Sequence, residues 1–194
     1  WVPGSYMIRD FSRHIIRMQA FHNGHEIAID ALDKSRWHLQ AACGEYRLEY
    51  EVYAYDWSVR ASYLDEQGAF FDGACLFPWL DGRQQEAYHI HIDLGEWGRE
   101  QQWQVSSAMT QTAANSFQAA SYWEAIDHPF TLGLFRQYAF QAAGLPHSII
   151  ISGQTLPFDE DRLPADVEKI CEAQIELFGA APFGHYVFML YIGD

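Results

Sequence analysis

Apolar and polar side chains alternate in several short runs over the first half of the chain, the period of a strand half buried in a sheet. In the run from Arg47 to Tyr55, Leu48, Tyr50, Val52 and Ala54 share one face, and Arg47, Glu49, Glu51, Tyr53 and Tyr55 the other. Trp37, Leu39, Ala41 and Cys43 alternate with His38, Gln40 and Ala42, and Ile90, Ile92 and Leu94 with His89, His91 and Asp93. Turn-forming pairs punctuate these runs: Asn23-Gly24, Cys43-Gly44, Gln67-Gly68, Asp72-Gly73 and Asp81-Gly82. Short strands at this spacing predict a mainly β, antiparallel sandwich-like domain. No internal repeat or low-complexity stretch interrupts it.

After Met109 the pattern changes. Thr110 to Ala120 is small and polar and reads as a connector. Ser121-Tyr122-Trp123-Glu124 has the spacing of a capping box, and Pro129 keeps the helix it starts short. Phe135 to Ser152 reads as strand again, broken at Gly144-Leu145-Pro146. Residues 164 to 178 are predicted as an amphipathic helix. Pro164 suits its first position, and Gly179 is a natural stop. Its expected buried stripe is Val167, Ile170, Cys171, Gln174, Leu177 and Phe178. The last run, His185 to Ile192, is nearly all apolar, the pattern of a strand covered on both faces. Such a strand either inserts into the middle of the sheet or opens a second domain that is cut short, and the Trp1 start leans toward a fragment.

Composition narrows the function. Lys and Arg number 12 against 26 Asp and Glu, a net charge of −14 with His neutral, and there is no basic cluster. A phosphate backbone needs a basic stripe, so nucleic acid is not expected as a partner. The hydrophobic fraction of 49% supports a packed core rather than a disordered acidic tail. No run approaches the ~18 apolar residues of a membrane span, so no membrane segment is expected. Three cysteines, Cys43, Cys75 and Cys171, form neither a disulfide framework nor a C-x-x-C pair, which favours a reducing, cytoplasmic setting.

Candidate chemistry is thin. His89-x-His91 with Asp93 could face a metal, but the plainer reading is a solvent-facing strand side. His22-Asn23-Gly24-His25-Glu26 fails as a zinc helix, because the position four after His25 is Ile29. No G-x-S-x-G elbow and no phosphate-binding glycine loop is present, and no cysteine has a nucleophile's flanking pattern. Two aromatic loops stand out, Trp1 to Phe11 with its adjacent Arg9-Asp10 pair, and Phe70 to Phe77 around Asp72-Gly73. Each is either a packed corner or a loop offered to a ligand.

The opening segment WVPGSYMIRDFSRHI resembles the W-x-P-G-S-Y-x-x-R-D-F segment of the glycyl aminopeptidase family of zinc metallopeptidases, predicted metalloproteases with a PDZ domain. The resemblance continues in order through YEVYAYDWSVRASYLD, GAFFDGACLF, DHPFTLGLF, LPHSIIISG, FGAAPFGHY and YVFMLYIGD. It implies a β-rich N-terminal domain over residues 1–155, lacking its earliest strands, and the opening helix and strand of a thermolysin-like catalytic domain over 156–194. The family's H-E-x-x-H motif, its downstream glutamate ligand and its PDZ part would lie beyond Asp194. Zinc would therefore belong to the parent protein, which hydrolyses N-terminal, glycine-type residues from peptides. This portion would hold no metal and no catalytic residue and would be inactive alone. Its role would be to wall the active-site cleft beside the missing intramolecular catalytic domain. On this analogy Phe71, Asp72 and Gly73 approach the substrate's amino end, with Tyr6 and Arg9 also lining the cleft. Arg9 would either pair with Asp10 or reach a peptide carboxylate.

Two other readings compete. One is a stand-alone binding module for peptide or carbohydrate, with Tyr53, Tyr55 and Trp57 as an aromatic platform. The other is a structural protein that docks through its C-terminal strand.

Overall fold

The computed structural model describes residues 6, 9–40, 44–154 and 157–193. A short 3-10 turn, Phe11–His14, leads into β1 (Ile15–His22), β2 (His25–Ile27), β3 (Ile29–Ala31), β4 (Trp37–Leu39) and β5 (Tyr46–Val52). There follow β6 (Ser62–Leu64), β7 (Gly68–Phe71), α1 (Gly73–Leu76), β8 (Tyr88–His91), α2 (Gly95–Glu100) and β9 (Gln104–Ser107). Next come β10 (Thr110–Ala113), β11 (Ser116–Ala119), α3 (Tyr122–Ala125), β12 (Phe130–Gly133) and β13 (Phe135–Ala142). The chain ends in β14 (Leu145–Gly153), α4 (Arg162–Phe178) and β15 (Tyr186–Ile192).

The strands pair in the orders β2-β1-β5, β10-β11-β8, β6-β7-β12-β9, β13-β14-β15 and β3-β4. Every pairing is antiparallel except β14 with β15, which α4 joins as a parallel crossover. The molecule is mainly β and sandwich-like, as the alternating runs predict. Phe71 of β7, Ile90 of β8, Phe117 of β11 and Phe130 of β12 meet in the core together with Met109. The Phe130 ring stacks on Phe71 at 4.9 Å and takes Phe117 edge-on at 5.0 Å. These rings lock the four-stranded sheet to the β10-β11-β8 sheet.

Local signals account for many of the boundaries. Asn23 and Gly24 have φ of 50° and 79°, the mirror-image turn that matches strand twist, and they close β1 on β2 with His22 opposite His25. Along β5, Leu48, Tyr50 and Val52 turn inward and Arg47, Glu49 and Glu51 outward, as expected, but the strand ends at Val52. Trp37 and Leu39 alternate with His38 in β4; the expected continuation through Ala41 and Cys43 lies outside the described residues, as do Trp1 to Ser5 of the opening aromatic loop. Ser121 caps α3 by accepting the Glu124 backbone N–H at 3.2 Å, and the Glu124 carboxylate reaches back to the Ala120 N–H at 2.6 Å.

Several expectations are corrected. The segment Thr110 to Ala120 is no connector: β10 and β11 form a hairpin across Ala114-Asn115, and Phe117 reaches the core. Only one large side chain in that hairpin is apolar, which hides it from a periodicity argument. The break in the later strands falls at Ala143-Gly144, with φ of 50° and 76°, so Leu145 and Pro146 belong to β14. Helix α4 starts two residues before Pro164, whose missing N–H still falls in the unsatisfied first turn. Gly179 closes it in the left-handed region, as expected.

The C-terminal strand differs most. It is β14, with Ile149, Ile150 and Ile151 buried, that is central and covered on both faces. β15 lies at the margin of its sheet with one strand neighbour among the described residues, and Tyr186, Leu190 and Tyr191 are exposed. Of the stripe expected on α4, Cys171 is buried, but Ile170, Leu177 and Phe178 face solvent at 60%, 74% and 77% exposure. Among the described residues no helix is long and apolar enough to cross a membrane.

Candidate functional site

The corner between β7 and α1 carries three of the residues singled out above. Phe71 is buried, its ring held by Phe130 and edge-on to Phe77 at 6.1 Å. Asp72 and Gly73 do not turn a hairpin; they start α1. The Asp72 carboxylate Oδ1 accepts the Ala74 N–H at 2.8 Å as an N-cap, and its own N–H donates to the Ala61 carbonyl at 3.1 Å. Burial pushes the Asp72 carboxyl up from its ordinary value. The Ala74 N–H opposes that shift, Asp127 adds to it, and Arg60 opposes it again.

Gly73 has no side chain because α3 leaves no room for one. A Cβ there would sit 2.5 Å from the Ala125 carbonyl oxygen and 3.1 Å from the Ile126 Cα. The structure therefore places Phe71 and Gly73 in the protein's own packing and Asp72 at the head of a helix. Tyr6 is fully exposed. Arg9 is half-buried and lines a separate small cavity with Cys75, two residues beyond Gly73 in α1. Arg13 and Arg60 line that cavity too. No local pattern marked either one, because their meeting depends on the pairing of segments some fifty residues apart. Asp10 meets the Lys34 ammonium at 2.8 Å.

Neither thiol on the described residues is set up as a nucleophile. Burial pushes Cys75 up to about 12, with Asp72 adding to the shift, and burial raises Cys171 as well. Cys43 lies outside the described residues. His91 Nδ1 lies 2.9 Å from the Ser116 hydroxyl, and Asp93 pairs with Arg99 at 2.6 Å. Among the described residues no three His, Cys, Asp or Glu side chains gather as a metal site. The described residues do not fit a zinc centre.

Two larger concavities flank the C-terminal sheet. A cleft of about 780 Å3 separates it from the four-stranded sheet and runs past Trp57, Asp65, Trp103 and Tyr191. Tyr53, Tyr55 and Trp57 are exposed, but not as a flat platform: the Trp57 ring stacks on Tyr63 at 3.5 Å and on Tyr191 at 4.1 Å. That contact ties β15 to β6. On the other face, an apolar groove of about 540 Å3 lies between α4 and the sheet, lined by Ile170, Phe178, Phe183 and Tyr186. At its base His147 is 2% exposed, and its Nδ1 donates to the Leu145 carbonyl at 2.9 Å.

Comparison with known proteins adds an independent line. None of the curated proteins matches the chain. A crystal structure of an aminopeptidase N family protein from Idiomarina loihiensis is similar at 36% identity and a TM-score of 0.94. The match covers 100% of this chain and 33% of that one, so the chain spans a third of that relative's length. Residues 1–134, up to the junction between β12 and β13, match the model of the peptidase M61 N-terminal domain. With over half of its residues inside that match, this chain belongs to the peptidase M61 N-terminal domain family.

Proposed function

We propose that this chain is the non-catalytic N-terminal portion of a zinc-dependent aminopeptidase, and that it walls the cleft in which the parent protein removes N-terminal, glycine-type residues from peptides. The observation that carries this reading is the unclosed C-terminal unit. Ile170, Leu177 and Phe178 on α4 and Tyr186 and Leu190 on β15 are exposed, and Ile170, Phe178 and Tyr186 line one apolar groove. Covering a large apolar side chain stabilises by about 1.5–3 kcal/mol, so a body that packs here gains substantially. On this reading the body that packs there is a catalytic domain with an H-E-x-x-H motif, the zinc it holds and a PDZ part, as the family resemblance implies. The length of the Idiomarina loihiensis relative leaves room for it.

The expected division at residue 155 falls between β14 and β15, which share a sheet, and the family match ends at 134. Both observations favour placing the opening of the catalytic unit at β13. Arg9 and Asp72 are the side chains this reading turns toward the cleft, with Tyr6 at its rim, while Phe71 and Gly73 shape the corner that holds Asp72. The acidic charge of the chain suits the cationic amino end of a peptide.

The test is made on the full-length protein translated through and beyond Asp194. Hydrolysis of glycine p-nitroanilide is expected, lost with chelator and restored by zinc. Asp72→Asn, which can still cap α1, is expected to lower kcat/KM. Activity indifferent to chelator, or a reading frame without H-E-x-x-H, overturns the proposal.

A further inference from the structure

The chain has two asparagines, Asn23 and Asn115, and each lies at a hairpin tip in the left-handed region, with φ of 50° and 54°. Asparagine is a thermolabile side chain, because the backbone nitrogen of the next residue can attack its Cγ and close a five-membered succinimide ring. The two tips share a backbone shape but not surroundings. At the second tip the Asn115 carbonyl accepts the Ile92 N–H at 2.9 Å. Ser116 pairs with His91 of β8, and its hydroxyl lies 2.9 Å from the His91 Nδ1. Ring closure swings the peptide that joins Asn115 to Ser116, so it has to break these bonds, and the Ser116 Cβ crowds the attacking nitrogen.

The first tip has none of these restraints. Asn23, Gly24 and His25 are exposed, and even a Cβ built on Gly24 would meet nothing within 4 Å. Among the described residues no backbone hydrogen bond ties the Gly24 N–H. The Asn23 carboxamide donates from Nδ2 to the His22 Nε2 at 3.5 Å, the outer limit of a hydrogen bond, so little holds it. β2 is three residues long and lies at the margin of its sheet with β1 as its neighbour, which makes local opening of the tip cheap.

The Asp-Gly pairs can form the same ring, and each is set back for a different reason. Asp72 is tied to the Ala74 N–H at 2.8 Å, and Gly73 is packed against the Ala125 carbonyl. Asp81-Gly82 is as open as Asn23-Gly24, but its carboxylate charge repels the attacking nitrogen, whereas the Asn23 carboxamide is neutral.

We infer that the fold singles out Asn23 as a site of self-modification, deamidation by water to aspartate and isoaspartate, which uncouples β2 from β1. The Gly24 nitrogen gives its proton to water and bonds to the Asn23 Cγ. The Cγ–Nδ2 bond breaks, and the side-chain nitrogen takes a proton from water and leaves as ammonia. A second water opens the ring at either carbonyl, giving aspartate or, with the main chain rerouted through Cβ and Cγ, isoaspartate. Either product adds one negative charge. Aspartate keeps the turn, since Asp-Gly favours the same geometry. Isoaspartate adds a carbon to the backbone of the turn, and the pairs Ala20↔Ile27, Phe21↔Glu26 and His22↔His25 can no longer all be kept. The inference is independent of the peptidase reading, because it concerns the covalent chemistry of this chain alone.

The test ages the 194-residue chain in mildly alkaline buffer, which helps the Gly24 N–H to ionise, and follows the peptides that hold Asn23 and Asn115 by mass spectrometry. Electron-transfer fragmentation distinguishes aspartate from isoaspartate. Asn23 is expected to convert at least about tenfold faster than Asn115, with isoaspartate among the products. The ratio of the two rates is expected to be larger in the native chain than in urea, because unfolding releases Asn115 from β8. Gly24→Ala puts a Cβ beside the attacking nitrogen and is expected to slow Asn23 at least about tenfold. Should that variant lose the hairpin, the native and urea ratios of the wild-type chain still decide. Hydrogen exchange of the aged chain is compared with that of Asn23→Asp, which has the charge without the extra backbone carbon. Faster exchange over His25–Ile27 is expected in the isoaspartate form alone. An Asn23 that does not outpace Asn115, a ratio no larger in the native chain than in urea, or a β2 equally protected in the isoaspartate form overturns the inference.

Discussion

Gly73→Ala separates two roles for a glycine in an aromatic loop, close approach to a ligand and close approach to the protein's own backbone. The added Cβ would meet the Ala125 oxygen at 2.5 Å, the Phe77 ring at 3.0 Å and the Ile126 Cα at 3.1 Å. The ring can swing, but the carbonyl cannot: Ala125 is fully buried, and its N–H is tied to the Ser121 carbonyl at 3.0 Å. Relief needs α1 and α3 to part by about 0.5 Å in a close-packed interior. Overpacking of this kind costs about 1–3 kcal/mol, and rigid backbone places it near the upper end. The reduced freedom of the unfolded chain returns about 0.5–1 kcal/mol. A net loss of about 2 kcal/mol lowers Tm by roughly 4–8 °C for a chain of this size. Thermal unfolding by circular dichroism measures it, with Gly184→Ala as control, since a Cβ at Gly184 meets nothing within 4 Å. The control is expected within ~0.5 kcal/mol of wild type. An unchanged Tm for Gly73→Ala would refute the packing argument and return Gly73 to the ligand-facing reading.

Ser121→Ala removes the hydroxyl that accepts the Glu124 N–H and is expected to cost ~1 kcal/mol, read as a lower urea midpoint at unchanged slope. Asp72 yields a pH prediction. Its native carboxyl titrates above the ordinary 3.8, so the folded state holds the proton more tightly than the unfolded state. Its stabilising contribution is present below 3.8 and lost as pH rises through the raised native value. The unfolding free energy of wild type minus that of Asp72→Asn is therefore expected to fall as pH rises above about 4. A flat or rising difference contradicts the assigned direction.

What could be read along the chain is what neighbours in sequence decide. The alternation of Leu48, Tyr50 and Val52, the Asn23-Gly24 turn, the Ser121 cap and the Gly179 stop all act within four residues, where backbone sterics and local hydrogen bonds dominate. The mainly β class follows from them. Residues far apart in sequence decide the rest. Phe71 became core because β12 brought Phe130 against it, and Gly73 became obligatory because α3 settled over it. β15 has the apolar run of a central strand yet lies at a margin, since apolar content states a demand for cover without saying what supplies it. Arg60 shares a cavity with Arg9 through the packing of β6 and α1 on the opening turn. Local patterns carry the preferences of single elements. The site and the uncovered face arise from which elements meet, which long-range packing energy selects.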